Sequence, residues 1–151
     1  MKIEIIPAPH HMPEHYRDYL EGYRAVRLID DENQVRGELV WRLACRWKAI
    51  FEIKELGLFR GEDRRQGWGT QLLETAFHDM RAFVKPFGYA PWRVYLFCEE
   101  KNLEGRAFYE ARGFHVEALL KDFHGLGEHG LLYSQLLAER TASCGCSSQD
   151  S

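Results

Sequence analysis

Arg64, Arg65, Gly67 and Gly69 fall within Leu58-Phe-Arg-Gly-Glu-Asp-Arg-Arg-Gln-Gly-Trp-Gly-Thr70, where an apolar run gives way to a charged glycine loop and then to a helical pattern. The chemistry this suits is the binding of a multiply charged anion. Neither glycine has a Cβ, so the backbone can turn sharply and bring its N–H groups close to a ligand. A helix that starts here adds unpaired N–H donors and the positive end of its dipole. Arg60, Arg64 and Arg65 stand beside those donors and can add charge-assisted hydrogen bonds to phosphate oxygens. A pyrophosphate fits this chemistry. Two familiar phosphate loops do not: no Lys-Ser/Thr follows the glycines as in a Walker A loop, and Gly67-x-Gly69 lacks the third glycine of the dinucleotide fingerprint. Glycine pairs also mark ordinary strand-to-helix turns, so the flanking elements have to decide.

Those elements are legible as pattern. Residues 2–6 read as an opening strand closed by Pro7 and Pro9. His10-His-Met-Pro-Glu-His15 has no standard metal-ligand spacing and reads as a polar loop, and residues 13–19 can form a helix of about two turns. Residues 23–29 and 35–43 form a hairpin around Asp30-Asp-Glu-Asn33, and residues 49–59 form a fourth strand with Gly57 as its expected bulge. From 68 to 84 the apolar positions 68, 72, 73, 76, 77, 80, 83 and 84 keep the helical period until Pro86 and Gly88 stop it. Residues 92–98 are nearly all apolar, as in a strand buried on both faces. A second helix over 103–112 ends at Gly113, and strands over 114–118 and 131–137 follow, with Gly125, Gly127 and Gly130 in their connection.

With 151 residues, 45% of them hydrophobic and 28% charged, the chain suits one domain over residues 1–138 and a disordered polar tail over 139–151. A formal net charge of −3 argues against general nucleic-acid binding, which needs a basic face. No apolar run reaches membrane-spanning length and no basic-then-apolar signal pattern opens the chain, so no membrane partner and a cytoplasmic location are expected. Cys45 and Cys98 read as reduced thiols in strands, and Cys144 and Cys146 sit in the polar tail without ligands enough for a metal.

Asn102-Leu-Glu-Gly-Arg-Ala-Phe-Tyr109-Glu-Ala-Arg-Gly-Phe114 is the second constellation: an asparagine opens a helix that carries Phe-Tyr-Glu and ends in Gly-Phe. Together with Arg64-x-x-Gly67-x-Gly69 it resembles the signatures of the GNAT superfamily of N-acetyltransferases, over roughly residues 23–138. The resemblance implies an α/β (α+β) fold, a mixed twisted sheet of about six to seven strands flanked by helices, with strands four and five splayed apart. It implies acetyl-CoA as acyl donor and no metal. Leu58 and Phe59 would offer backbone groups to the pantetheine arm. Arg64, Arg65, Gln66, Gly67, Trp68, Gly69 and Thr70 would hold the pyrophosphate, and Asn102 would bond the arm from the other side while capping its helix. Tyr109 matches the family's general acid, a phenol protonated at neutral pH that can donate to the departing thiolate.

The base is less defined. At the fifth-strand position where ribosomal-protein alanine acetyltransferases carry a carboxylate this chain has Phe97. Glu52 and Glu55 on strand four remain, with His124 and His129 behind them; Glu55, on the strand face of Gly57, is the choice. Only sixteen residues separate Ile6 from Tyr23, where the family usually carries two helices, so the cover over the acceptor is short. Either the site admits a bulky primary amine such as a peptide end as well as small amines, or a second copy in a homodimer completes it. The expected reaction is attack by a primary amine on acetyl-CoA in a ternary complex. The rival is an acyl-CoA sensor without turnover, which the absent strand-five carboxylate favours. Deleting residues 141–151 should leave the melting temperature and CoA affinity unchanged. A clear drop in a thermal scan would mean that Cys144 and Cys146 are anchored.

Overall fold

Seven strands form one sheet in the order β1-β2-β3-β4-β5-β7-β6 in the computed structural model, which describes residues 1–6, 23–45 and 47–138. β1 (Lys2–Ile6), β2 (Arg24–Ile29), β3 (Val35–Cys45) and β4 (Ile50–Leu58) run as an antiparallel meander. β5 (Arg93–Glu99) joins β4 in parallel, and β6 (His115–Gly125) and β7 (Glu128–Leu136) complete the far side, with β7 between β5 and β6. The helix expected over 13–19, the His10–His15 loop and the tail with Cys144 and Cys146 lie outside the described residues.

Helix α1 (Trp68–Val84) starts and stops where its apolar period predicts. It buries Leu72, Leu73, Ala76, Met80 and Val84 against Leu39, Trp41, Phe51 and Val94 of the sheet. Helix α2 (Leu103–Ala111) packs Phe108 and Tyr109 against that same cluster, so both described helices cover one face. This explains a departure at β5. Its residues alternate, with Val94, Leu96 and Cys98 buried and Arg93, Tyr95 and Phe97 half-buried, because the helices cover only one side and the Tyr95 and Phe97 rings pack edge to face on the other, 5.9 Å apart.

Two further expectations are corrected. The β4 bulge is at Lys54: Trp41 pairs with Ile53 and Val40 with Glu55, whereas Gly57 pairs regularly with Glu38. The extra residue is the exposed lysine, and it sets the later residues so that Leu56 and Leu58 pack against the core while Glu55 and Gly57 line a cleft. The last hairpin is also longer than its pattern suggests, since Gly125 pairs with Glu128 and Gly130 lies inside β7 opposite Leu120. The register shift between Leu120 and Gly125 interrupts the alternation by which sequence reveals a strand.

A buried fork fixes α1 on the sheet. Arg24 donates from Nε and Nη2 to the two oxygens of Asp79 at 2.8 and 3.0 Å, and Asp79 is 4% exposed. Removing one partner leaves the other charge buried, so Asp79→Ala should cost about 3 kcal/mol in urea unfolding. The exposed pair Arg64–Glu104 at 3.1 Å is the contrast, and Glu104→Gln should change stability by no more than about 0.5 kcal/mol. Equal costs for the two variants would refute this ranking.

Candidate functional site

β4 and β5 stay paired only from Ile50 to Ile53, opposite Arg93 to Leu96. Beyond that β4 continues against β3, and β5 continues against β7, so two strand edges inside one sheet face each other without bonding. The unpaired groups of such an edge can accept an extended chain. A cleft of about 300 Å³ lies there, lined by Glu38, Glu55, Gly57, Phe59, Phe97 and Tyr109 among others.

The charged loop follows β4 directly, at the end where β4 and β5 have parted. It begins as a 3-10 turn, Gly61–Asp63, whose buried Asp63 accepts two 2.8 Å bonds from Nε and Nη2 of Arg36 on β3. Arg36 also donates to Asp30 and Glu62 at 3.1 Å, and these partners, Asp63 first, raise its pKa. The Gln66 side chain donates back to the Glu62 carbonyl at 2.5 Å. Arg65 and Gly67 both adopt left-handed backbone conformations, at φ 62° and 85°. From Arg65 to Thr70 no backbone N–H meets an acceptor among the described residues; the next, that of Gln71, bonds the Gly67 carbonyl at 3.1 Å. Six consecutive free donors at a helix start form a site for a large anion. Arg64 and Arg65 line a shallow cavity of about 780 Å³ beside it with Gly61, Leu103 and Glu104.

The two glycines do different jobs. A Cβ on Gly67 would meet nothing within 4 Å, so its bare side opens on free space beside the donors. A Cβ on Gly69 would come within 3.1 Å of the Phe108 ring, so this glycine lets α2 pack close to α1. Thr70 Oγ1 accepts a 2.7 Å bond from Arg112, whose guanidinium lies 4.1 Å from the centre of the Phe108 ring. That leaves the Thr70 backbone N–H as its free group. Trp68 is half-buried against the core, and Phe59, 60% exposed, stands at the cleft wall. Leu58 ends β4 next to it.

Asn102 caps α2, its Oδ1 accepting from the Gly105 N–H at 3.0 Å, and does not line the cleft. Tyr109 packs against Phe108, Phe114 and Tyr133, and its hydroxyl has no hydrogen-bond partner among the described residues. Burial, with a smaller contribution from Cys98, raises its pKa to about 12. Cys98 is itself buried and its thiol is raised by desolvation, which disfavours a nucleophilic thiolate there. Of the carboxylates, Glu52 is 4% exposed and engaged by Arg42 at 2.8 Å and Lys54 at 3.7 Å, so it is a structural ion rather than a surface one. Glu55 is exposed, lines the cleft and has no ion pair among the described residues. His129 Nδ1 accepts from the Asp122 N–H at 2.9 Å, and neither His129 nor His124 lines the cleft.

Three residues at the site escaped the sequence reading. Arg36 and Glu38 alternate with the apolar residues of β3, and Glu38 pairs with Arg27 at 2.6 Å. Arg112 stands at the end of the second helix, just before Gly113. Only their long-range partners reveal them.

No protein-family model matches the sequence. No curated protein matches it either. Solved structures do match in fold. One is described as an acetyltransferase of the GNAT family from Desulfovibrio desulfuricans, 22% identical, with a TM-score of 0.68 over 83% of this chain and 78% of that one. A GNAT family acetyltransferase from Elizabethkingia anophelis, solved with acetyl-CoA bound, is 18% identical with a TM-score of 0.65 over 89% and 97%. The ribosomal-protein-S18-alanine N-acetyltransferase from Escherichia coli is 13% identical with a TM-score of 0.67 over 93% and 97%. The chain therefore has the GNAT acetyltransferase fold, with parallel pairing of β4 and β5 at its centre.

Gly67→Val puts a branched side chain at φ 85° in the middle of the run of free donors. Strain should cost roughly 1–2 kcal/mol, and CoA affinity in calorimetry should fall at least about tenfold. Gly88→Val is the control, because Gly88 has φ 79° and equally open surroundings away from the loop. Similar CoA affinities in the two variants would remove the donor run from the site.

Proposed function

We propose that this chain is an acyltransferase that moves an acetyl group from acetyl-CoA to a primary amine by direct attack in a ternary complex. The observation that carries the reading is the run of six N–H groups from Arg65 to Thr70 that are free among the described residues, just beyond the end of β4 where it has parted from β5. Those groups fit a pyrophosphate with Arg64 and Arg65 beside it, and the open β4 edge fits an extended amide-bearing arm. Leu58 and Phe59 would bond that arm through their backbone and Asn102 through its side-chain amide. Bound acetyl-CoA would supply the thioester.

The chain's own residues would manage two protons. Tyr109 lines the cleft and its hydroxyl has no partner among the described residues, which supports a role as hydrogen-bond donor to the sulfur that leaves. The attacking nitrogen must shed a proton, and Glu55 on the facing strand is the carboxylate within the cleft that is free to take it, directly or through water. The rival reading, an acyl-CoA sensor without turnover, rests on Phe97 standing where a strand-five carboxylate is expected. Release of free thiol from acetyl-CoA in the presence of a library of primary amines tests the proposal. CoA binding without release from any amine would favour the sensor.

Tyr109→Phe keeps the ring and its packing while removing the hydroxyl. Acetyl-CoA affinity should change by no more than about 1 kcal/mol, and turnover should fall about a hundredfold where chemistry limits the rate. A pKa of about 12 means the wild-type rate should not decline from phenol ionisation up to pH 10. Because the folded value lies above the unfolded value of about 10, the fold holds this proton more tightly. That contribution, roughly 3 kcal/mol, is fully present below pH 10 and lost as pH rises through 12; the mutant should lack this loss. A mutant that turns over at the wild-type rate would return Tyr109 to a purely structural role.

A further inference from the structure

We infer that the acceptor is a primary amine with a single positive charge carried on an aromatic body, and that Glu55 and the Phe97–Phe123 pair select it. This rests on the acyl-transfer reading and names the substrate class for that same cleft. The cleft holds three charged side chains, Glu38, Lys54 and Glu55. Glu38 is already committed to Arg27 at 2.6 Å, and the Lys54 ammonium lies 3.7 Å from Glu52. Glu55 alone has no ion pair among the described residues. One uncommitted carboxylate serves one ammonium group. A polyamine or an aminoglycoside would bring further charges that this cleft does not answer, beside a lysine that repels them.

The rest of the lining sets three rings, Phe59, Phe97 and Tyr109, beside Ile53, Leu56, Leu96 and Gly57, and the rings continue beyond it. Phe59 stands on the β4 wall, 60% exposed, and Phe97 on the β5 wall. Phe97 is stacked on Phe123 of β6 at 4.9 Å between ring centres and 27° between planes, and Phe123 is 50% exposed. Tyr95 meets the other side of Phe97 edge-on. Tyr95, Phe97 and Phe123 form a strip that leaves the cleft across the sheet face opposite α1 and α2. An aromatic body anchored by its ammonium at Glu55 would extend this stack, gaining face or edge contacts that a linear aliphatic chain lacks. Phe97 thus replaces a carboxylate with a wall that recognises the acceptor's body, and the single charge is met on β4.

The test uses the full chain with acetyl-CoA and four acceptors: 2-phenylethylamine, pentylamine, spermidine and kanamycin, with thiol release as readout. Phenylethylamine should exceed each of the others in kcat/KM by about tenfold or more. Phe123→Leu keeps the bulk and removes the ring, and Phe123→Ala removes both; each should bring the phenylethylamine-to-pentylamine ratio down toward one. Glu55→Gln should raise KM for phenylethylamine. Preference for spermidine or kanamycin overturns the inference and leaves acyl transfer standing, as does an aromatic preference that survives both Phe123 variants. Acetyl-CoA binding in calorimetry without transfer to any of these or to a wider amine library overturns the acyl-transfer reading, and this inference with it.

Discussion

The fork between Arg36 and Asp63 is the contact on which the site depends. A loop that must present six unbonded N–H groups cannot stabilise itself through its own backbone, because those donors are its principal means of doing so. Something outside has to hold it. Arg36 does this from β3, reaching Asp63 at the end of the 3-10 turn with two 2.8 Å bonds and gathering Asp30 and Glu62 around the same guanidinium. The planar fork gives direction as well as attraction, which a lysine would not. Once Asp63 is fixed, the chain from Arg64 onward has little slack before Trp68 enters α1, and the left-handed residues Arg65 and Gly67 turn the donors outward. A non-glycine residue in that conformation carries strain, which the anchored turn must hold in place.

The gap between β4 and β5 is a second consequence of local geometry. A parallel pair that separates after four residues leaves two edges that elsewhere would invite aggregation. Here the bulge at Lys54 starts the divergence, and α2 and the hairpin of β6 and β7 flank the β5 side. Tying α2 to α1 keeps the gap from widening freely: Gly69 admits the Phe108 ring and Arg112 spans from that ring to Thr70. α2 is therefore held to the start of α1, where the donors sit.

What was legible in the sequence was local. The start and end of α1, the cap at Asn102 and the turn at Asp30 each depend on residues a few positions apart, and they appear where the pattern places them. The bulge was misplaced to Gly57 because glycine is the usual marker, whereas the actual shift is set by which residues of β4 must face the core across the sheet. Gly69 was read as a ligand-facing glycine because its partner, Phe108, lies on another helix. Arg36 is 27 residues from Asp63, and nothing in an alternating strand distinguishes an arginine that anchors a loop from one in water. Glu52 was ranked beside Glu55 as a base for the same reason; only the fold shows one engaged by Arg42 and the other open to the cleft.

The environment of Tyr109 constrains how it can act in the proposed transfer. Burial that lifts the phenol to about 12 makes it a dependable donor at neutral pH and a reluctant acid. Handing its proton outright to a thiolate whose ordinary thiol pKa is about 8.5 would be uphill by roughly 5 kcal/mol. A hydrogen bond from the hydroxyl to the sulfur has no such cost and grows stronger as negative charge develops there. The proton that finally neutralises the thiolate can then come from the ammonium-side release that Glu55 or water collects, with Tyr109 holding the sulfur's charge until it arrives. On this account the hydroxyl earns its rate effect through electrostatic stabilisation, and the same burial that weakens it as an acid keeps it protonated and aimed.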